Sequence, residues 1–136
     1  MKLAATMKIV VTIARVLLGA VFVFFGLNLF LNFLPHGPMP AGVAGVFFGV
    51  MASTHYLQVV AVFQVIPGLF LLFNRYVPMA LAILAPVIFN ILVVHTVIGP
   101  GGLHLLLAII VALLWALVAH RHRAAFDVFF QKRAEV

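Results

Sequence analysis

The chain runs from Arg15 to Arg75, and again from Arg75 to Arg121, without one charged side chain. Those two intervals make up most of the molecule and are filled with Leu, Val, Ile, Ala and Phe. No water-soluble domain of this size can hide so much apolar surface, because small domains leave much of their chain exposed. The sequence is 67% hydrophobic and 7% charged, and its mean hydropathy is +1.34. The solvent it requires is lipid. There the backbone must hydrogen-bond to itself, so the chain is expected to be all-α, with no open sheet.

A spanning helix needs about 20 apolar residues. Four stretches are read as crossings, at about 9–34, 56–73, 77–97 and 103–120. Pro35, Gly37, Pro38 and Pro40 break the first. Asn74 and Arg75 form a tight turn after the second, and Pro78 suits the first turn of the third. Gly99-Pro100-Gly101-Gly102 marks the turn into the fourth. These short turns predict antiparallel neighbours in an integral membrane four-helix bundle, one membrane domain over residues 1–136. Two segments are left over. Residues 41–52 are apolar but reach only about 18 Å at about 1.5 Å per residue, too short to cross. They predict a short outer helix, interfacial or re-entrant. From Ala124 onward, Phe126, Phe129 and Phe130 stand near Lys132 and Arg133, the pattern of an amphipathic tail at the membrane surface. The N-terminus begins like a signal peptide, but the apolar run is too long for one and is read as a retained helix.

All eight basic residues fall at one end of this predicted bundle: Lys2, Lys8, Arg15, Arg75, Arg121, Arg123, Lys132 and Arg133. Basic residues stay on the cytoplasmic side, so both termini are expected inside, with residues 35–55 and 98–102 outside. The net charge of +6 is explained by this topology and by attraction to anionic headgroups, and not by nucleic acid. Tyr56, Tyr76 and Trp115 fall near predicted helix ends, where aromatic belts form. With no cysteine there is no disulfide, thiolate metal site or thiol relay.

Polar groups inside the apolar stretches each require an explanation. Arg15 lies about two turns into the first crossing by the expected boundary. It either snorkels to the inner headgroups or binds an anionic or polar partner on a neighbouring helix. Asn28 and Asn32 share a helical face. Gln58 and Gln64 lie on the second crossing, and Asn90 on the third. Asn28, Gln64 and Asn90 come to similar depth. They serve either as interhelical glue or as the polar lining of a pocket. Pro67 and Pro86 favour the pocket, since each frees a carbonyl one turn earlier, at Phe63 and Ala82. Of six histidines, His36, His55, His95 and His104 map outside, and His120 and His122 inside among arginines. His95 and His104 flank one short turn. Imidazoles can bind metal or haem iron, yet no tight metal-ligand spacing appears. No metal site is expected, haem is disfavoured, and hydrogen bonds to loop carbonyls are the favoured use.

The only acids, Asp127 and Glu135, lie in the tail. Proton-coupled transport generally needs a titratable group within the membrane, which argues against a cation-drug antiporter. No nucleotide loop, hydrolytic triad or zincin motif is present, and no catalytic residue is assigned.

Arg15-x-x-x-Gly19 with Gly26, Gln64-Val-Ile-Pro-Gly68-Leu-Phe-Leu-Leu72, Asn74-Arg75-Tyr76-x-Pro78 and Ala85-Pro86-x-x-x-Asn90 together resemble the DoxX-like family of small bacterial four-helix membrane proteins. The resemblance covers about residues 10–120. It implies a multi-pass protein of the bacterial inner membrane. Some family members look like subunits of quinone-linked sulfur oxidation or oxidative-stress complexes, and others resemble assembly factors. It implies that Arg15, Gln64 and Asn90 line the bundle.

The expected function is a redox-associated membrane subunit, at most part of an oxidoreductase complex. Asn28, Gln64, Asn90 and His95 would surround an outward-opening pocket capped by residues 41–52, with His104 and Arg15 as further candidates. The occupant would be a quinone, a lipid or a small polar molecule. The electrons would come from a soluble or membrane redox partner. A noncatalytic scaffold for other membrane proteins is the alternative, and a small channel or transporter ranks last. Gly19 and Gly26 offer contact points for a homo-oligomer.

Overall fold

A computed structural model of the chain describes residues 1–99 and 101–131. Among the described residues there are six α-helices and no strand: α1 (Lys2–Leu31), α2 (Val43–Ser53), α3 (Tyr56–Leu72), α4 (Val77–Val93), α5 (Gly102–Arg121) and α6 (Arg123–Phe126). A π-helical turn, Val94–Ile98, continues α4, and a 3-10 turn, Asp127–Phe130, continues α6. Three helices are long and apolar enough to cross a membrane: α1, α4 with its π turn, and α5. A fourth crossing results if α2 and α3, which meet at 80°, are counted as one bent span. The chain is a multi-pass membrane protein with apolar helices that contact a lipid bilayer.

Helix α3 matches the expected second crossing within a residue, but it has 17 residues, about 26 Å at about 1.5 Å per residue. That is somewhat short of a hydrocarbon core about 30 Å thick. The expected short helix at 41–52 is α2, one to two residues later. The third crossing ends as a π turn instead of an α-helix. The tail is helical from Arg123, with Phe126 packed on the core and Phe129 and Phe130 exposed. Lys132 and Arg133, expected to flank it, lie outside the described residues.

Helices α1, α3, α4 and α5 contact one another in that cyclic order, closing a four-helix ring. The tightest seam joins α1 to α3. A Cβ on Gly19 would fall 2.8 Å from the Gly68 carbonyl oxygen, and one on Gly68 would fall 3.0 Å from that of Gly19. Only glycine lets the two backbones approach so closely. Gly26 packs in the same way against Gln64 and Val65. The two α1 glycines, expected as contact points for a second copy, are therefore occupied within the chain.

The helix ends follow from local chemistry. Helix α1 stops three residues before its expected limit. Asn32 adopts a left-handed conformation and the Asn28 side chain accepts the Leu34 N–H at 2.9 Å, so one of the amides closes its own helix. Helix α2 ends where the Ser53 and Thr54 hydroxyls both donate to the Val50 carbonyl. Helix α3 ends in a Schellman turn: left-handed Asn74 donates its N–H to Leu71 O, and Arg75 donates to Phe70 O. Arg15 completes that end from α1, donating from Nη1 to Leu71 O and more weakly to Leu72 O. A cation placed on the last carbonyls of a helix also opposes the negative end of its dipole.

Candidate functional site

The large fully buried side chains gather at the end of the ring that carries the basic residues: Leu18, Leu71, Leu81, Leu84 and Val118. Toward the uncharged end most buried positions are small or polar, namely Gly26, Ala61, Gln64 and Ala108, with Ile88 and Val94 as the larger apolar ones. Space opens there. A groove of about 390 Å³ runs between α3 and α4, walled by Val59, Phe63, Pro86 and Val87 and reaching Tyr56 and Asn90. A second hollow of about 420 Å³ lies against α2, walled by Phe47, Val50 and Met51, and it too reaches Tyr56 and Asn90. Those two polar side chains stand where the hollows meet.

Pro86 lies on the groove wall and supplies no N–H, so the Ala82 carbonyl loses its helical partner. One residue earlier, Leu81 O accepts a 2.9 Å hydrogen bond from Trp115 Nε1 on α5. Trp115, expected at the membrane surface, thus braces the turn next to the proline. The groove is an apolar channel with a hydroxyl and a carboxamide at one end, both able to donate and accept. An amphiphile with a long apolar tail and a compact hydrogen-bonding head has the matching shape.

The expected site residues are distributed as follows. Asn90 lines both hollows. Asn28 Oδ1 is taken by the end of α1. Gln64 is buried, with 8% of its surface exposed, and packs at the α1–α3 seam beside Gly26. Arg15 clamps the end of α3. His95 donates from Nδ1 to Ile91 O at 2.7 Å, one turn back along its own helix. Its ring stacks on His104 with centroids 5.9 Å apart and planes 15° from parallel. The turn between them does bring these two together, and His104 is exposed while His95 is half-buried. Among the described residues no three His, Cys, Asp or Glu side chains cluster as metal ligands.

Two residues of this end were underweighted by the sequence. By sequence Tyr56 has only the mark of a belt residue at a helix end. Its helical stripe with Val59, Val60 and Phe63 was the available signal, since these recur at helical spacing. Gln58 carries a buried side-chain oxygen with no hydrogen-bond partner among the described residues. Such an atom is costly to leave unpaired. No protein-family model, no curated protein and no solved structure matches the chain.

Proposed function

We propose that this chain is a bacterial inner-membrane subunit of the DoxX-like kind, holding an isoprenoid quinone, or a lipid of similar build, in the α3–α4 groove beside a redox partner. In this reading α3 is the second of four crossings, both termini are cytoplasmic, and α2 lies at the outer interface over the groove mouth. The observation that carries the reading is the placement of Tyr56 and Asn90 at the junction of two apolar hollows. Quinone carbonyls accept hydrogen bonds, and the Asn90 amide and Tyr56 hydroxyl can donate them. The tail would lie along Val59, Phe63 and Val87. The chain holds no cysteine, so thiols of its own cannot supply the electrons.

The test is mass spectrometry and absorption spectroscopy of organic extracts from the purified protein. A quinone is expected to copurify with the native chain. It should be lost from Val59→Trp, which fills the groove from a position already 54% exposed. Extracts holding only bulk phospholipid would sink the proposal and favour a noncatalytic scaffold.

A further inference from the structure

At the end of the ring opposite the groove, the first turns of α1 and the joint between α5 and α6 leave a cleft of about 430 Å³. Lys8, His120, Arg121 and Arg123 line it, and so do the apolar side chains of Met7, Val11 and Leu117. The break at His122 between the two helices lets Arg121 and Arg123 border the same hollow. Arg123 Nη1 donates to His120 Nε2 at 3.1 Å. That fixes the guanidinium and leaves its other N–H groups for an acceptor. No carboxylate lines the cleft, and Asp127 is the only acid among the described residues. Three cations therefore face one hollow with no anion among the described residues to balance them.

A rim of cations over apolar walls matches a ligand that is both anionic and greasy. Basic pockets between spanning helices bind anionic lipid headgroups in this manner. A free phosphate satisfies the rim but leaves the apolar wall, and above all the exposed Met7, uncovered. Helix α1 leaves Met7 48% exposed there, in a position for an acyl chain to cover it. We propose that this cleft is a binding site for one anionic phospholipid, its phosphate held by Lys8, Arg121 and Arg123 and one chain laid along Met7, Val11 and Leu117.

The experiment is native mass spectrometry of the full chain released from bilayers of phosphatidylcholine with a minor fraction of phosphatidylglycerol. One phosphatidylglycerol is expected to stay bound in preference to phosphatidylcholine. Arg121→Gln and Arg123→Gln should each weaken its retention about five-fold. Lys8→Gln, at an exposed position near the start of α1, carries the same expectation if either arginine variant fails to fold. Arg75→Gln, at the same end of the ring but outside the cleft, should change nothing, and neither should the groove variant Val59→Trp. Equal losses from Arg75→Gln and Arg123→Gln would reduce the effect to diffuse surface charge and overturn the site. Displacement of the lipid by excess inorganic phosphate would likewise overturn it, in favour of a small-anion site.

Discussion

The two ends of the ring are built from the same kinds of apolar residue but close in different ways. At the basic end, Leu18, Leu71, Leu81 and Leu84 are fully buried and the end of α3 is sealed by a Schellman turn and by Arg15. At the uncharged end most buried positions are alanines, a glycine and a glutamine, only Ile88 and Val94 being larger, and two hollows remain. Lipid is as apolar as leucine, so helices in a membrane associate through packing and hydrogen bonds and gain little from leaving their solvent. Stability therefore concentrates where large side chains interlock, and room for a ligand remains where they do not. One end holds the ring together and the other is free to hold something else.

Three measurements break or sharpen that contrast. The largest effect is expected from Leu84→Ala, which removes packing at a position with no exposure. It should destabilise the protein by about 2 kcal/mol, a loss that survives in lipid because it comes from the empty space left behind. Val59→Ala on the groove wall should stay within about 0.5 kcal/mol. Equal costs, read from reversible denaturant unfolding in mixed micelles, would erase the distinction between the two ends. Next comes Arg15→Gln, which removes the cation from the α3 terminus and is expected to cost about 1.5 kcal/mol. Hydrogen exchange should show the loosening first at Leu71 to Asn74. A uniform change across the molecule would mean that Arg15 does not act as a local clamp.

The smallest effect concerns His122, which lies just beyond α5. Burial first, and then the charges of Arg121 and Arg15, hold its pKa below the ordinary value of 6.5. The unfolded chain therefore takes up a proton at a pH where the folded chain still does not. Stability should fall as the pH drops from about 6.5 toward the folded pKa, whereas well above about 6.5 both states are neutral and the contribution vanishes. Melting temperatures recorded across that range should decline less in His122→Asn. Identical declines in the two proteins would place the pH sensitivity elsewhere.

Much of the architecture was legible in the sequence because its signals are local. Apolar runs set the helices, and Pro35, the Asn74-Arg75 turn and Gly99 end them within a few residues of the observed limits. The partners of the polar groups were not legible. An asparagine such as Asn28 can reach across to another helix or back to its own, and the sequence alone does not distinguish the two. Gly19 and Gly26 can serve a neighbouring copy or a neighbouring helix, and here they serve α3. Arg15 was expected either at headgroups or on a polar partner, but the terminal backbone carbonyls of a neighbouring helix carry no mark in the residue types. Asn90 was singled out, while Tyr56, which faces the same hollows, was recognised only from the geometry.

The glycine seam between α1 and α3 also bears on how the chain is assembled. Both helices precede α4 and α5 in the chain, and the glycine contacts between them involve no residue of α4 or α5. Chains are made from the N-terminus, and early segments can associate while later ones are still being synthesised. The α1–α3 pair, closed by Gly19 and Gly68 and tied by Arg15, is thus synthesised before α4 and α5. Helices α4 and α5 complete the ring by packing on α3 and α1. The α3–α4 groove then arises at the junction between an early half and a late one.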